Sequence, residues 1–322
     1  RLIPYKTHYA YLKIADGCDH SCSFCIIPKL KGPYRSRPIR DIEDEARELV
    51  ASGIREIILI AQDTTYYGID THGKRMLPEL LKRLSRIQGL SWLRLLYTTP
   101  DGINDELLSV MAGSDIICNY IDMPIQHISR TVLKKMKRWG SKSQFINLIG
   151  KIRRTLPGVA IRSTFIVGHP GEGKKEFEEL LEFLSEVRLE RVGIFPFSPE
   201  KGTESYELRP KVHKNTKMKR YNDAMRLLQE ISREKNKKLI GQVMPVIVDD
   251  VFPKGNFPPG GKEPDHWLSG VTAVGRTFMD APEIDGRVYL EGDVPPPGSI
   301  IKAVIRDASI YDFFARIGEC DS

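Results

Sequence analysis

The chain has 322 residues, 41% hydrophobic and 28% charged, with a formal net charge of +7. That length suits one barrel plus an appendage, and the composition is that of an ordinary globular protein. No stretch has the length of a membrane span, which argues against a membrane partner, and no secretory leader is expected at the start. The first residue is Arg1 rather than Met, so further residues are expected upstream. Three of the five cysteines lie within eight residues. This is unlike an evenly spread disulfide scaffold and points to a metal in a reducing, cytoplasmic compartment.

Short apolar runs at 9–14, 56–61, 92–97, 116–121, 160–167 and 191–197 predict strands. Helical periodicity lies between them at 42–52, 77–87, 105–112, 130–137, 143–156 and 176–187. Asn104 is placed to cap the helix that starts at Asp105, and Gly53 to stop an earlier one. Six strands alternating with helices predict a parallel sheet with right-handed crossovers. The alternation stops near residue 200, so the expected fold class is α/β, a partial (βα)6 TIM-like barrel over residues 1–210. Residues 211–240 are rich in Lys and Arg, with Met225, Leu227, Leu228 and Ile231 at helical spacing, and predict a linker helix. From 241 to 322 the strand-like runs 243–248, 267–274, 287–290 and 300–308 are short and broken by Gly and Pro. They predict a small β-barrel of about five strands. Residues 252–264 are Pro/Gly-rich and predict a loop.

Charge is unevenly placed. Residues 241–322 hold 7 Lys and Arg against 13 Asp and Glu, a net of −6, which leaves +13 for residues 1–240. A basic body invites nucleic acid, and an acidic tail suits a basic protein partner. Solvated faces would give the same counts.

The segment Gly17-Cys18-Asp19-His20-Ser21-Cys22-Ser23-Phe24-Cys25 follows the first predicted strand. A loop there lies at the C-terminal mouth of a parallel barrel, where active sites gather. Three thiolates can ligate three irons of a [4Fe–4S] cube and leave the fourth iron open to a small chelator. The amino and carboxylate groups of a methionine moiety suit that position. Zinc is the alternative, but it wants four ligands, and His20 is a poor fourth at this spacing. Inert core thiols fit poorly among these polar neighbours.

Residues 17–38, GCDHSCSFCIIPKLKGPYRSRP, resemble the methylthiotransferase branch of the radical S-adenosylmethionine family. The resemblance extends to Ile60-Ala61-Gln62-Asp63-Thr64, Asp122-Met123-Pro124-Ile125-Gln126-His127, FIVGHPGE at 165–172 and FPFSPEKGT at 195–203. It covers essentially the whole chain and implies a radical S-adenosylmethionine barrel followed by a TRAM domain. Within the family, one branch modifies a tRNA adenosine, and another adds a methylthio group to the β-carbon of an aspartate in a small-subunit ribosomal protein. The second is favoured. Gln126-His127 stands where the tRNA branch carries a Gln-Ser-Gly run, and residues 97–101, 280–286 and 310–312 are similar to the ribosomal-protein branch. The acidic tail agrees, since a TRAM domain that holds RNA phosphate should be basic. The tRNA reading remains the alternative, with a non-catalytic, metal-containing nucleic-acid-binding protein as a third.

The resemblance implies a [4Fe–4S] cluster on Cys18, Cys22 and Cys25, S-adenosylmethionine bound beside it, and an electron donor such as flavodoxin or ferredoxin. The substrate it implies is a small-subunit ribosomal protein, alone or in a ribosomal particle. Family members carry a second cluster in an N-terminal domain that this chain is expected to lack, so the chain alone should cleave the cofactor without inserting sulfur. Cys118, in an apolar run, and Cys320, near the end, do not replace it. Gln62 ends the second strand, where its amide can reach the methionine amino group. Phe24 is placed to pack beside the adenine. Gly168 and Gly171 flank Pro170 and can let the backbone approach adenine or ribose, although a tight turn needs the same residues. Arg162 or Ser163 can reach the ribose or carboxylate. No catalytic residue is assigned. His127 reads as a structural histidine or as a group at the barrel mouth. Lys29, Lys31, Arg35 and Arg37 form a basic run that meets an acidic group or is simply solvated.

Overall fold

The computed structural model describes residues 7–252, 267 and 270–318. Six parallel strands follow the predicted order: β1 (Tyr9–Lys13), β2 (Glu56–Ile60), β3 (Trp92–Leu95), β4 (Tyr120–Asp122), β5 (Ala160–Val167) and β6 (Arg191–Pro196). β1-β2-β3 and β4-β5-β6 each form a three-stranded sheet. The Leu93–Ile117 bridge and the Cys118 N–H bond to Leu93 (2.9 Å) join the two. β1 and β6 do not pair with each other, so the barrel is partial.

The fourth strand departs from expectation. The run 116–121 forms only a bridge at its start, and the ladder begins at Tyr120. Tyr120 N–H bonds to Cys118 O at 2.7 Å, a tight kink that turns Tyr120 and Asp122 into position. The α-helices of five or more residues are α1 (Ile27–Lys31), α2 (Ile39–Ala51), α3 (Leu77–Leu84), α4 (Asp105–Ala112), α5 (Arg130–Met136), α6 (Lys142–Thr155), α7 (Lys174–Val187) and α8 (Lys214–Lys237). Asn104 caps α4 as expected, accepting from Leu107 N–H. α8 is the linker helix, and it buries Ala224, Leu228 and Ile231.

Strand alternation decides where each core forms. Leu12, Ile57, Leu59, Leu93, Leu95, Ile121, Ile161 and Phe165 pack outward against Ile42, Leu80, Phe183 and other helix residues. The alternate positions Ile58, Trp92, Tyr120 and Ala160 belong to a second core. That core continues into a closed five-stranded barrel made by β7 (Val243–Val251), β8 (Val271–Thr277), β9 (Val288–Glu291), β10 (Ile300–Ala308) and β11 (Phe313–Ile317). The predicted strand run 267–274 is shifted to β8, with 268–269 outside the described residues. From 253 onward the predicted loop 252–264 also lies outside them. Closure removes the edges that five short strands would expose. The small barrel therefore seats its apolar core in the base of the large one, opposite the strand ends that carry the cysteine loop.

Charged groups share that junction. Arg94 and Glu56 are fully buried and paired at 2.7 Å. Arg276 reaches Glu56 at 2.8 Å and Asp249 at 2.8 Å, and Asp249 meets His8 at 2.8 Å. The Arg94 guanidinium also donates to Phe278 O (2.7 Å) and lies 4.8 Å from the Tyr120 ring centroid. Burial works to raise the Glu56 pKa, but the two guanidinium groups outweigh it and hold the carboxyl below its usual value. A second buried pair, Arg191–Asp280 at 2.7 Å, ties β6 to the segment after β8. Removing one member of a buried pair strands the others without countercharge. Arg276→Met is expected to lose about 3–5 kcal/mol in chemical denaturation. An unchanged unfolding midpoint would show that these charges are not desolvated.

Candidate active site

The cysteine loop starts just beyond β1. The pairing of Ala15–Asp16 with Arg35–Ser36 closes it at the base. Gly17 has φ +77°, and a Cβ there would sit 2.0 Å from Pro33 O, so the close approach requires glycine. Cys18 N–H donates to Gly32 O (3.1 Å). Asp19 accepts from Tyr34 N–H (2.9 Å). Between Cys22 and Cys25, Ser23 is the anchor. Its hydroxyl donates to Lys135 O (2.6 Å) and lies 2.7 Å from the Ser205 hydroxyl, which is itself 2.8 Å from His169 Nε2. Its N–H donates to Met136 O, and its carbonyl accepts from Ser205 N–H. On the opposite side, His20 Nε2 lies 2.6 Å from Asp63 Oδ2. Asp63 is fully buried and accepts from Thr65 and Thr99. Burial opposes the Asp63 charge, but its hydrogen bonds to His20 and Thr65 prevail, and the carboxyl is held below its ordinary value. The loop is thus fixed on two sides of the barrel mouth.

Cys18, Cys22 and Cys25 are free thiols of intermediate exposure. They line a cavity of about 260 Å³ together with Phe24, Gln62, Tyr97, Gln126, Arg138 and Thr164. They also line an outer recess of about 500 Å³ with Lys29, Gly202 and Glu204, so the thiols stand between two spaces. Burial pushes the Cys18 and Cys25 thiols up, and Arg138 opposes the effect at Cys25. Arg138 is fixed by donating to Pro124 O (3.0 Å), with its other terminal nitrogen 3.7 Å from Cys22 Sγ.

Among the described residues, no three His, Cys, Asp or Glu side chains converge on a single-ion site. A four-iron cube instead takes one thiolate at each of three irons, and metal coordination deprotonates a thiol that burial keeps neutral. Three free, half-buried thiols on one anchored loop, lining one cavity, fit that group.

Two non-glycine residues in the left-handed region line this cavity, Tyr97 (φ +57°) and Gln126 (φ +73°). Each costs on the order of 1–3 kcal/mol and persists only where its surroundings hold it. Tyr97 N–H donates to Asp122 Oδ2 (2.9 Å), and Tyr97 O accepts from Thr64 N–H (2.9 Å). Gln126 is strapped to β5 through Thr164 O and Ile166 N–H, each at 2.8 Å.

The structure brings Phe24 and Gln62 to the thiols. Arg162, Ser163, Gly168 and Gly171 do not line that cavity. Ser163 points outward and is fully buried, donating to Met123 O (2.9 Å) and accepting from Ile125 N–H (3.2 Å). Arg162 faces inward but pairs with Asp122 (2.8 Å) and Asp285 (3.4 Å). Gly168 (φ +77°) and Gly171 (φ +99°) let Lys217 and Lys135 cross the turn, and a Cβ at either would lie 2.3 Å from the lysine side chain. Tyr97, Thr98, Thr99, Arg138 and Thr164, to which the sequence reading gives no role, also line the cavity. Residues 97–99 follow the third strand as Gln62 follows the second, which is a usable signal. Arg138 has no local signal.

His127 does not reach the mouth. It is fully buried, its Nδ1 accepts from Ser129 N–H (3.0 Å), and its Nε2 has no hydrogen-bond partner. Burial, with His169 and Arg220 nearby, pulls its pKa from 6.5 to about 3. Nearby, burial pushes Glu172 up to about 7 against the pull of Arg220. Because the fold holds His127 neutral, its contribution to stability is present above pH 6.5 and is lost as pH falls toward 3. One such group changes stability by about 1.4 kcal/mol per pH unit. His127→Gln should lower the slope of unfolding free energy between about pH 6 and 4 by that amount in urea titrations. An unchanged slope would mean that His127 is not kept neutral.

Comparison with known proteins places the chain. The model of the Radical SAM superfamily matches residues 12–184, and the TRAM domain model matches 240–317. The ribosomal protein uS12 methylthiotransferase RimO of Caldanaerobacter subterraneus subsp. tengcongensis is 44% identical over 313 residues, 97% of this chain and 68% of that protein. The same-named protein of Desulforamulus reducens is 44% identical over 320 residues, 99% of this chain and 69% of that protein. Among solved structures, coproporphyrinogen III oxidase (HemN) from Escherichia coli, a radical SAM enzyme, superposes with a TM-score of 0.54 at 14% identity. It covers 70% of this chain and 53% of that one, a likeness of fold alone.

Proposed function

This chain belongs to the radical S-adenosylmethionine methylthiotransferase family, and we propose that it serves the methylthiolation of an aspartate of ribosomal protein uS12. The observation that carries the reading is the set of three free thiols on one anchored loop, lining one cavity at the mouth of a barrel of this family. The relatives' name supplies the substrate.

Cys18, Cys22 and Cys25 would hold a four-iron cluster with one iron left open. With S-adenosylmethionine bound, that cluster supplies radical chemistry able to remove hydrogen from an unactivated carbon. The protein's residues bind, orient and exclude water. The Gln62 amide is suited to the methionine amino group, and the Arg138 guanidinium, already fixed by Pro124 O, to its carboxylate. Phe24 offers a ring face to the adenine. The rigid Tyr97 and Gln126 backbones define the far wall, so the cofactor meets a shape formed beforehand.

The sulfur-bearing second cluster belongs elsewhere than on the remaining described thiol. Cys118 is buried at the domain junction, where burial pushes its pKa up to about 12. The third of the relatives' length that this chain does not cover is the natural place for that cluster. A one-electron donor of flavodoxin or ferredoxin type and a cytoplasmic setting complete the reading. Among the described residues no helix is long and apolar enough to cross a membrane.

A protein substrate is favoured over tRNA by the C-terminal domain, whose net charge of −6 would repel phosphate. Loss of the gene should remove one methylthio mass from uS12 and leave tRNA nucleosides unchanged by mass spectrometry. Loss from a tRNA adenosine would overturn the assignment. In the purified protein, replacing any one of the three cysteines with Ala should abolish reductive cleavage of S-adenosylmethionine and the iron-cluster absorbance. Arg138→Met should keep the iron but weaken cofactor binding about 10-fold or more. Normal cofactor affinity in Arg138→Met would remove that residue from the site.

A further inference from the structure

Tyr97 forms part of the cavity wall in a backbone conformation that a tyrosine does not hold unaided. Its amide donates downward, into the barrel, to Asp122 Oδ2 (2.9 Å). The next residue is held by the main chain of the same aspartate, with Thr98 N–H (2.9 Å) and the Thr98 hydroxyl (2.7 Å) both donating to the Asp122 carbonyl. Asp122 is 1% exposed, so its carboxylate needs a countercharge. Arg162 supplies it at 2.8 Å, on the other carboxylate oxygen.

Arg162 is in turn shared. Its Nε lies 3.4 Å from Asp285, which belongs to the segment between β8 and β9 of the C-terminal domain. Asp285 is fixed by the Tyr120 hydroxyl (2.7 Å) and by Ala281 N–H (2.9 Å). The result is a carboxylate–guanidinium–carboxylate chain whose ends grip the cavity wall at one side and the small barrel at the other.

We propose that Asp122 is a positioning residue for the cofactor cavity, and that Asp285 of the C-terminal domain sets it through Arg162. The small barrel is then part of the active-site scaffold. The proposal rests on the reading that this cavity binds S-adenosylmethionine. In that frame Arg162 acts on the cofactor through Asp122 and Tyr97 and does not touch it. Each carboxylate uses its second oxygen for an amide or hydroxyl and turns its first toward Arg162.

The test compares wild type, Asp285→Asn and Arg162→Lys, as full chains reconstituted anaerobically with iron and sulfide. Amide hydrogen exchange is read on the segment holding Tyr97 and Thr98, and S-adenosylmethionine affinity is read by equilibrium binding. Both variants should speed exchange at those two amides about 10-fold and weaken cofactor binding about 5- to 10-fold. Exchange at Ile125 and Gln126, whose amides donate to Ser163 and Thr164 of β5, should stay at the wild-type rate, and the maximal cleavage rate should change less than about 2-fold. Should Asp285→Asn speed exchange throughout the barrel, Arg162→Lys decides on the same amides, since it keeps the charge but cannot span both carboxylates. Wild-type exchange at Tyr97 and Thr98 in both variants would overturn the proposal. Failure of the wild-type protein to bind S-adenosylmethionine would instead overturn the functional reading, whatever the exchange shows.

Discussion

The molecule depends on how it neutralises charge at the base of an open barrel. Asp249, Arg276, Glu56 and Arg94 form one buried chain that crosses from the C-terminal domain into the large barrel. Charges taken out of water are costly unless each meets a partner at close range, and here each does. Such a chain tolerates few relative placements of the two domains, because sliding one against the other would leave several charges unpaired. The apolar core around it, from Ile58 and Trp92 to Val288 and Phe313, supplies attraction, while the charges supply register.

The mouth of the barrel is organised by different means. Its walls are loop residues fixed by groups on neighbouring elements: Ser23 by the Ser205 hydroxyl and Lys135 O, His20 by the Asp63 carboxylate, and the Tyr97 amide by the Asp122 carboxylate. Rigid strand ends beneath these loops let short polar contacts define the cavity. The thiols of the cysteine loop therefore stand in a preformed setting. Their half-burial disfavours free thiolate, a preference that iron coordination reverses.

The two ends of the molecule also differ in charge. Residues 1–240 are strongly basic and residues 241–322 acidic. Several basic side chains of the cysteine-loop region are occupied internally, including Lys29 on Gly202 O and Arg37 on Glu45, so the basic run is partly structural. The acidic domain spends Asp249, Asp280 and Asp285 on holding arginines at the junction. Of these, Asp280 and Asp285 meet arginines of the large barrel, while Asp249 meets Arg276 of its own domain, so the domain stays net negative toward a partner.

What the sequence determined by itself was local and periodic. Short apolar runs mark the six parallel strands to within a few residues, because strands of a parallel sheet are covered on both faces and read as near-continuous apolar runs. The fourth was displaced because the Cys118–Tyr120 kink depends on a hydrogen bond, not on hydropathy. The cysteine spacing marks the loop whose three free thiols line one cavity, since residues within one loop are close whatever else the chain does. Gln62, just past a strand end, and Phe24, beside Cys25, line the same cavity as the thiols. Tertiary structure decided the rest. Arg162 and Ser163 are neighbours on β5 that face opposite sides, and neither borders the cavity. Tyr97 and Arg138 enter the wall through contacts with residues far away in sequence. The seating of the small barrel in the large one pairs Glu56 with Arg276, more than two hundred residues apart. No periodicity encodes such a pairing, which follows only once two separately folded surfaces must leave no buried charge alone.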